Sequence, residues 1–289
     1  MALQQHGILS MALAAAVLPA CANAADPTAK DLNPKADALT ITAGGELMSD
    51  YIYRGVSLSA RRPSAASSID IDWRGLYVGV NAQSVKLPTQ PAAEITLSGG
   101  LRHSIDGYDF DLGLNYFYYP GEVTSGTTIK GNWEAALGVT REMQPVTLKG
   151  LIAYSPESSD TSGSIYAEGR ITVDLPQMNL PKDLSWQLDV GGGYWRFGKN
   201  PSTQPGLAAP SYANWHASVL FWYTDNVSFE FGYYDTSLSK EDCFVLTGDS
   251  MAVPGAASNP LHNPNSMRSG LCGATLLGRL SFSFEPLKH

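Results

Sequence analysis

The chain has 289 residues, 16% of them charged, with 28 glycines, 14 tyrosines and a formal net charge of -8. That length suits one large β-domain or two ordinary ones, and the negative balance argues against a nucleic-acid partner, which calls for a basic patch. An ordinary soluble domain carries about 25% charge, yet no stretch beyond the N-terminus is apolar for the roughly 20 residues that a membrane helix needs. Low charge without such a helix fits a membrane barrel, whose lipid-facing residues are dispersed at every second position.

Residues 1–24 read as an export signal. Ile8 to Leu18 is a short apolar run, and Ala22-Asn23-Ala24 is a small-x-small cleavage site, although Lys and Arg are missing ahead of it. Leu18-Pro19-Ala20-Cys21 offers a rival reading as a lipoprotein box with Cys21 lipidated. Residues 25–38, with Pro27 and Pro34, form an expected periplasmic tail.

From residue 39 a two-residue alternation keeps returning. It is plainest in Tyr108, Phe110, Leu112, Leu114, Tyr116 and Tyr118, interleaved with Asp109, Asp111, Gly113 and Asn115. Such a segment is a strand with one apolar and one wet face. About twelve follow one another. The first is expected to run from Leu39 to Tyr53, with Leu47, Tyr51 and Tyr53 outward and Glu46, Asp50 and Arg54 inward. The second opposes Ile69, Ile71 and Trp73 to Asp70, Asp72 and Arg74. Later strands set Leu97 and Leu101 against Glu94 and Arg102, and Trp133 and Leu137 against Lys130 and Glu134. Ile152 and Tyr154 oppose Lys149, Ile165 and Ile171 oppose Glu168 and Arg170, and Leu188 and Val190 oppose Asp189. The last strands set Phe229 and Phe231 against Glu230, and Leu280 and Phe282 against Arg279. A basic residue facing lipid near the midplane costs about 2–4 kcal/mol, so slipping a strand by one residue is disfavoured wherever a charge sits on its wet face.

Link lengths alternate. Arg74-Gly75, Asp106-Gly107 and Asp225-Asn226 read as tight hairpin turns. Between them fall longer links near 55–63, 86–92, 120–128, 156–163, 198–211 and 238–272. Outer-membrane barrels have short periplasmic turns and long external loops, so both termini are expected on the periplasmic side. The expected architecture is an up-and-down antiparallel transmembrane barrel spanning 39–289, with strand twelve closing on strand one and 286–289 as a short tail. A soluble β-sandwich or lipocalin-like barrel also alternates, with its second face in water rather than lipid.

One group of segments resembles a known family. Ser49-Asp50-Tyr51-Ile52-Tyr53-Arg54-Gly55-Val56-Ser57-Leu58-Ser59, followed by Pro63, resembles the S-D-Y-x-x-R-G-x-S-x-S motif of the TorF-type porins of Gram-negative bacteria. Gly75 to Gly79, Phe110 to Gly121 and Gly232-Tyr233-Tyr234-Asp235-Thr236 resemble further strands of that family. The resemblance covers most of residues 40–285, and the long link at 238–272 departs from it. It implies an outer-membrane barrel that acts as a channel and implies no particular substrate.

The inward set Glu46, Asp50, Arg54, Asp70, Asp72, Arg74, Glu94, Arg102, Asp109, Asp111, Lys130, Glu134, Glu168, Arg170, Asp189, Glu230 and Arg279 are the candidate pore-lining residues. Acids outnumber bases among them, which favours cations weakly; alternatively they pair across strands and stiffen a closed barrel. Phe117, Tyr119, Tyr166, Trp195 and Tyr234 also point inward, to stack on a solute or to plug a lumen that about twelve strands leave narrow. Asp50 and Arg54 either line a constriction or join an ion network.

Cys243 and Cys272 bracket a Gly/Pro/Asn-rich link. In the oxidising periplasm or cell surface they are expected to pair, contributing roughly 3–4 kcal/mol by loop closure. A metal role has little support, since His262 is a lone candidate ligand nearby. An outer-membrane lipid hydrolase needs a His with a Ser or acid partner. His103, His216 and His262 are the few candidates, and no Gly-x-Ser-x-Gly elbow occurs. No cofactor is implied. The expected function is passive diffusion of small hydrophilic solutes across the outer membrane of a Gram-negative bacterium, among lipid and lipopolysaccharide. A non-conducting structural or adhesion barrel with partner-binding loops is the other reading, and the oligomeric state is open.

Overall fold

A computed structural model describes residues 39–122, 132–156, 163–177, 181, 183–198, 210–224, 226–255 and 266–288. The expected export signal, the tail at 25–38, Lys130, Asp225 and His262 lie outside the described residues. Strand β1 (Leu39–Met48) leads into a small hairpin of β2 (Ile52–Tyr53) and β3 (Val56–Ser57). The wall then continues through β4 (Ser64–Trp73), β5 (Leu76–Gln83), β6 (Glu94–Ile105), β7 (Tyr108–Tyr118), β8 (Asn132–Met143) and β9 (Val146–Ser155). It goes on through β10 (Ser164–Asp174), β11 (Leu184–Phe197), β12 (Tyr212–Tyr223) and β13 (Val227–Thr236). Helix α1 (Lys240–Thr247) and a second small pair, β14 (Val253–Pro254) and β15 (Met267–Arg268), precede the last strand, β16 (Thr275–Lys288).

The twelve long strands close into one antiparallel barrel, in which β16 pairs with both β13 and β1. Every other wall strand pairs with its neighbours in the chain. The register obeys the alternation. Leu112, Leu137 and Ile152 stand opposite one another on β7, β8 and β9, and all three are exposed on the outer face. Trp73, Val78, Leu101, Tyr154, Tyr194, Phe231 and Phe282 share that face. A continuous apolar surface on every wall strand is built for lipid, because water would oppose it around the whole circumference.

One end of the barrel is tightly turned. Arg74-Gly75 and Asp106-Gly107 each place two successive residues in the left-handed region, with φ of 55° and 81° and of 53° and 75°. That geometry matches the twist of antiparallel strands. The opposite end carries the long links. A Ser239 side chain caps α1 by accepting from the Asp242 amide, and the Cys243–Cys272 disulfide ties that helix to the start of β16. The helix and the β14–β15 pair inside the long link had no counterpart in the sequence reading.

Three expectations are corrected. The first wall strand ends at Met48, not Tyr53. Residues 286–288 are no tail: β16 reaches Lys288, which pairs with Thr40. The register shifts between Ile41 and Ala43, which sets Thr42 against both Glu285 and Pro286; a bulge is a place where a strand tolerates the missing N–H of proline. Arg74 sits in the β4–β5 turn with its guanidinium 5.1 Å over the outward ring of Trp73, so it does not line the lumen.

Candidate functional site: the closed lumen

The buried core of this protein is inside the barrel, at the long-link end. It includes Tyr51, Ile52, Tyr53, Val56 and Leu58 packed with Phe117, Tyr119, Tyr166, Trp195 and Tyr212. The first five belong to the β2–β3 hairpin. Residues 49–59, expected to finish a wall strand and enter a loop, instead fold into the bore. Tyr51 and Tyr53 are thus buried lumen residues rather than outward ones. Asp50 and Arg54 lie on this segment and not on β1.

The local chemistry explains the fold. Arg54 and Gly55 take φ of 47° and 81° and form the tight turn between β2 and β3. Asp50 holds the base: its Oδ1 accepts from the hydroxyls of Ser57, at 2.5 Å, and Ser59, at 2.8 Å. The Ser59 hydroxyl oxygen also accepts from the Tyr51 amide. Arg61 lies 3.6 Å from Asp50 and donates to the carbonyls of Gly270 and Gly273, joining the first long link to the last. Burial draws the Arg61 guanidinium below its ordinary pKa, while Asp50 and Asp235 pull it back up.

The tip crosses the lumen. The hairpin leaves the wall between β1 and β4, and Arg54 meets residues of β8, β10 and β11. Its Nη2 donates to Glu134 Oε1 and Oε2 at 3.1 and 3.0 Å. Its guanidinium carbon lies 4.0 Å from the Tyr166 ring centre, 4.5 Å from Trp195 and 4.8 Å from Tyr53. Ser155 donates a third bond to Glu134. Gly55 touches the wall at β12 and β13: a Cβ there would stand 2.4 Å from Thr236 Cγ2 and 3.0 Å from Asn214 Cβ. Glu94, also buried, accepts from the hydroxyls of Tyr51 at 3.1 Å and Tyr119 at 2.9 Å. Glu134 and Glu94 thus each accept from the hairpin, as buried charge requires partners.

Away from the hairpin the inward charges gather in three clusters. Arg102 bridges Asp72 at 3.1 Å and Asp111 at 3.2 Å, lies 4.1 Å over Tyr77, and Tyr77 donates to Asp111. Asp189 accepts from Arg170 at 2.7 Å and from Thr172, and contacts His216 at 2.7 Å; Glu168 flanks Arg170. Arg279 reaches Glu230 at 3.4 Å and Glu46 at 3.9 Å, and Tyr234 donates to Glu230. Asp70 is half-buried on the same face as Asp72, and Asp109 accepts from Ser104. The inward aromatics Phe117, Tyr119, Tyr166 and Trp195 are buried, and Tyr234 is half-buried against His216. Among the described residues, no group of three or more His, Cys, Asp or Glu is placed to hold a metal.

The hairpin itself was missed by the sequence reading. Its signal was present: Arg54-Gly55 is the same dipeptide as Arg74-Gly75, which does read as a turn.

Residues 33–253 match the family model Gcw_chp, described as a bacterial protein of unknown function. No curated protein matches the chain. Among solved structures, the NanC porin is 7% identical, with a TM-score of 0.47 over 86% of this chain and 100% of its own. LpxR from Salmonella typhimurium is 7% identical, with a TM-score of 0.43 over 84% of this chain and 99% of its own.

Proposed function

We propose that this chain, which belongs to the Gcw_chp family of bacterial proteins of unknown function, is an outer-membrane channel for small hydrophilic solutes, held shut by its own first loop. One observation carries the reading. The lumen face carries polar residues on every wall strand and charged ones on most, while the element that blocks it is not part of the wall. The hairpin is seated by side chains, and among the described residues its backbone bonds outside itself run to Leu271 and Lys86, both in links rather than wall strands. A barrel filled for rigidity alone is blocked by residues of the wall itself. The likeness of residues 49–59 to the TorF-type porin motif supports the same reading, with the long links outside the cell and the short turns in the periplasm.

The carboxylate excess on the lumen face gives the channel a weak preference for cations. Lipid and lipopolysaccharide surround the outer wall. The reading assigns no catalysis: His216 is held by Asp189 and stacked on Tyr234 inside the bore, away from the outer face where a lipid substrate would lie. The second reading, a non-conducting structural barrel, is favoured by the complete burial of the hairpin.

Planar-bilayer recordings separate the two. The wild-type protein is expected to open rarely. A variant with residues 51–58 replaced by a Gly/Ser link is expected to conduct steadily with a cation-selective reversal potential. Neutralising Asp70, Asp72, Asp109 and Asp111 in that variant reduces the selectivity. A folded, silent hairpin-less variant would establish the structural reading instead.

A further inference from the structure

We propose that Glu134, Tyr166 and Trp195 form a binding site in the barrel wall for a small organic cation, a guanidinium or a compact alkylammonium, and that Arg54 is its tethered occupant.

Three observations carry this. The first is chemical. A carboxylate with two oxygens on one N–H edge, and aromatic faces over the cation at 4.0 and 4.5 Å, is the arrangement that recognises an organic cation. A hydrated sodium ion gains little from the rings. Arg54 Nε and Nη1 make no hydrogen bond, so the site holds its occupant by one nitrogen and by stacking. A ligand with fewer donors than arginine fits the same contacts.

The second observation is that the wall half of the site is built without the hairpin. Glu134, Tyr166 and Trp195 sit on β8, β10 and β11. Ser155 bonds Glu134, and Tyr166 bonds Asn214 and Glu168. Trp195 packs against Phe197 and Tyr212. Gly193 leaves the room that Tyr166 occupies, since a Cβ there would lie 2.3 Å from the Tyr166 hydroxyl. A site fixed by neighbours on rigid strands loses little order when it exchanges one ligand for another.

The third is energetic. Withdrawing the hairpin alone strips Glu134 and the two rings of their guanidinium, at the cost of the ion pair and both cation–π contacts. A soluble cation that takes Arg54's place removes that cost, so it favours the withdrawn hairpin by binding only that state. The site thereby names the solute class that opens the lumen. This gating role rests on the channel reading, whereas binding to the wall does not.

The test uses the full chain in detergent and ethylguanidinium as the probe, followed by calorimetry. Arg54→Ala is expected to bind the probe, with sodium at matched ionic strength and neutral urea giving no comparable heat. Adding Glu134→Gln or Tyr166→Leu weakens binding on the order of tenfold or more. Wild-type protein binds less tightly than Arg54→Ala, because Arg54 competes. If Arg54→Ala fails to fold, the variant with 51–58 replaced serves in its place. Equal binding with and without Glu134, or no binding by a folded variant, overturns the proposal. Binding by a variant that conducts nothing would keep the site and reject the channel.

Discussion

Replacing Ile152 with Arg measures what the outer face touches. Ile152 is 59% exposed on β9, within the row that includes Leu112 and Leu137. It is the seventh of ten residues in Val146–Ser155. With about 3.3 Å rise per residue and a tilt of about 40°, it lies roughly 15 Å from one strand end and roughly 8 Å from the other. Both distances place it inside an apolar band about 25 Å tall. Arg there costs about 2–4 kcal/mol, a shift of roughly 30- to 700-fold in the folding equilibrium. Met251 in the last long link is 74% exposed; if it meets water, Met251→Arg changes stability by no more than about 0.5 kcal/mol. Equilibrium unfolding in urea from lipid vesicles, followed by tryptophan fluorescence, reads both variants. Near-zero effects at both positions would mean that the outer face meets water, and the membrane reading would be wrong.

Arg54→Ala removes one partner of a pair whose side chains are 2% and 1% exposed. It is expected to destabilise hairpin docking by about 3–5 kcal/mol. Hydrogen exchange in residues 51–58 should rise, and Arg54→Met combined with Glu134→Gln should recover most of the protection. Cys243→Ser frees a link whose cysteines are 29 residues apart, with an expected loss of roughly 3–4 kcal/mol in that link. Proteolysis should begin between α1 and β16, and unreduced wild-type peptides should remain linked in mass spectra. Gly55→Ala forces a side chain into a φ of 81° and against Thr236, at a cost of roughly 1–3 kcal/mol. Gly150→Ala, where a Cβ meets nothing within 4 Å, should leave thermal stability nearly unchanged.

The wall was legible in the sequence because lipid imposes one demand on every strand. Each outward position must be apolar, so the period of two survives from Leu39 to Phe284, and charges such as Glu134, Asp189 and Arg279 mark the inner face without ambiguity. The disulfide was legible from the scarcity of cysteines. The hairpin was not, because Tyr51 and Tyr53 keep the parity of Leu39, Ile41 and Leu47 on β1. Parity cannot distinguish an aromatic that faces lipid from one that turns back into the bore. What ends β1 is Asp50, whose partners Ser57 and Ser59 stand seven and nine residues ahead, a pairing no periodicity detects. Likewise parity placed Arg54 inward but not opposite Glu134, since that contact depends on which strands face each other across the lumen.

The hairpin's seat also orders the assembly of the molecule. Arg54 is among the early residues of the barrel, yet its partner Glu134 is 80 residues ahead and the carbonyl that Arg61 reaches at Gly273 is 212 ahead. Gly55 rests on Thr236, near the end of the penultimate wall strand. The seat therefore does not exist until nearly the whole wall has been laid down, and contacts so distant in the chain form late. While strands are still being added, residues 49–63 must remain outside any finished bore, with Glu134 open to water. Only when β16 meets β1 does the lumen acquire both its circumference and its stopper, so that the nascent barrel is sealed in the same event that completes it.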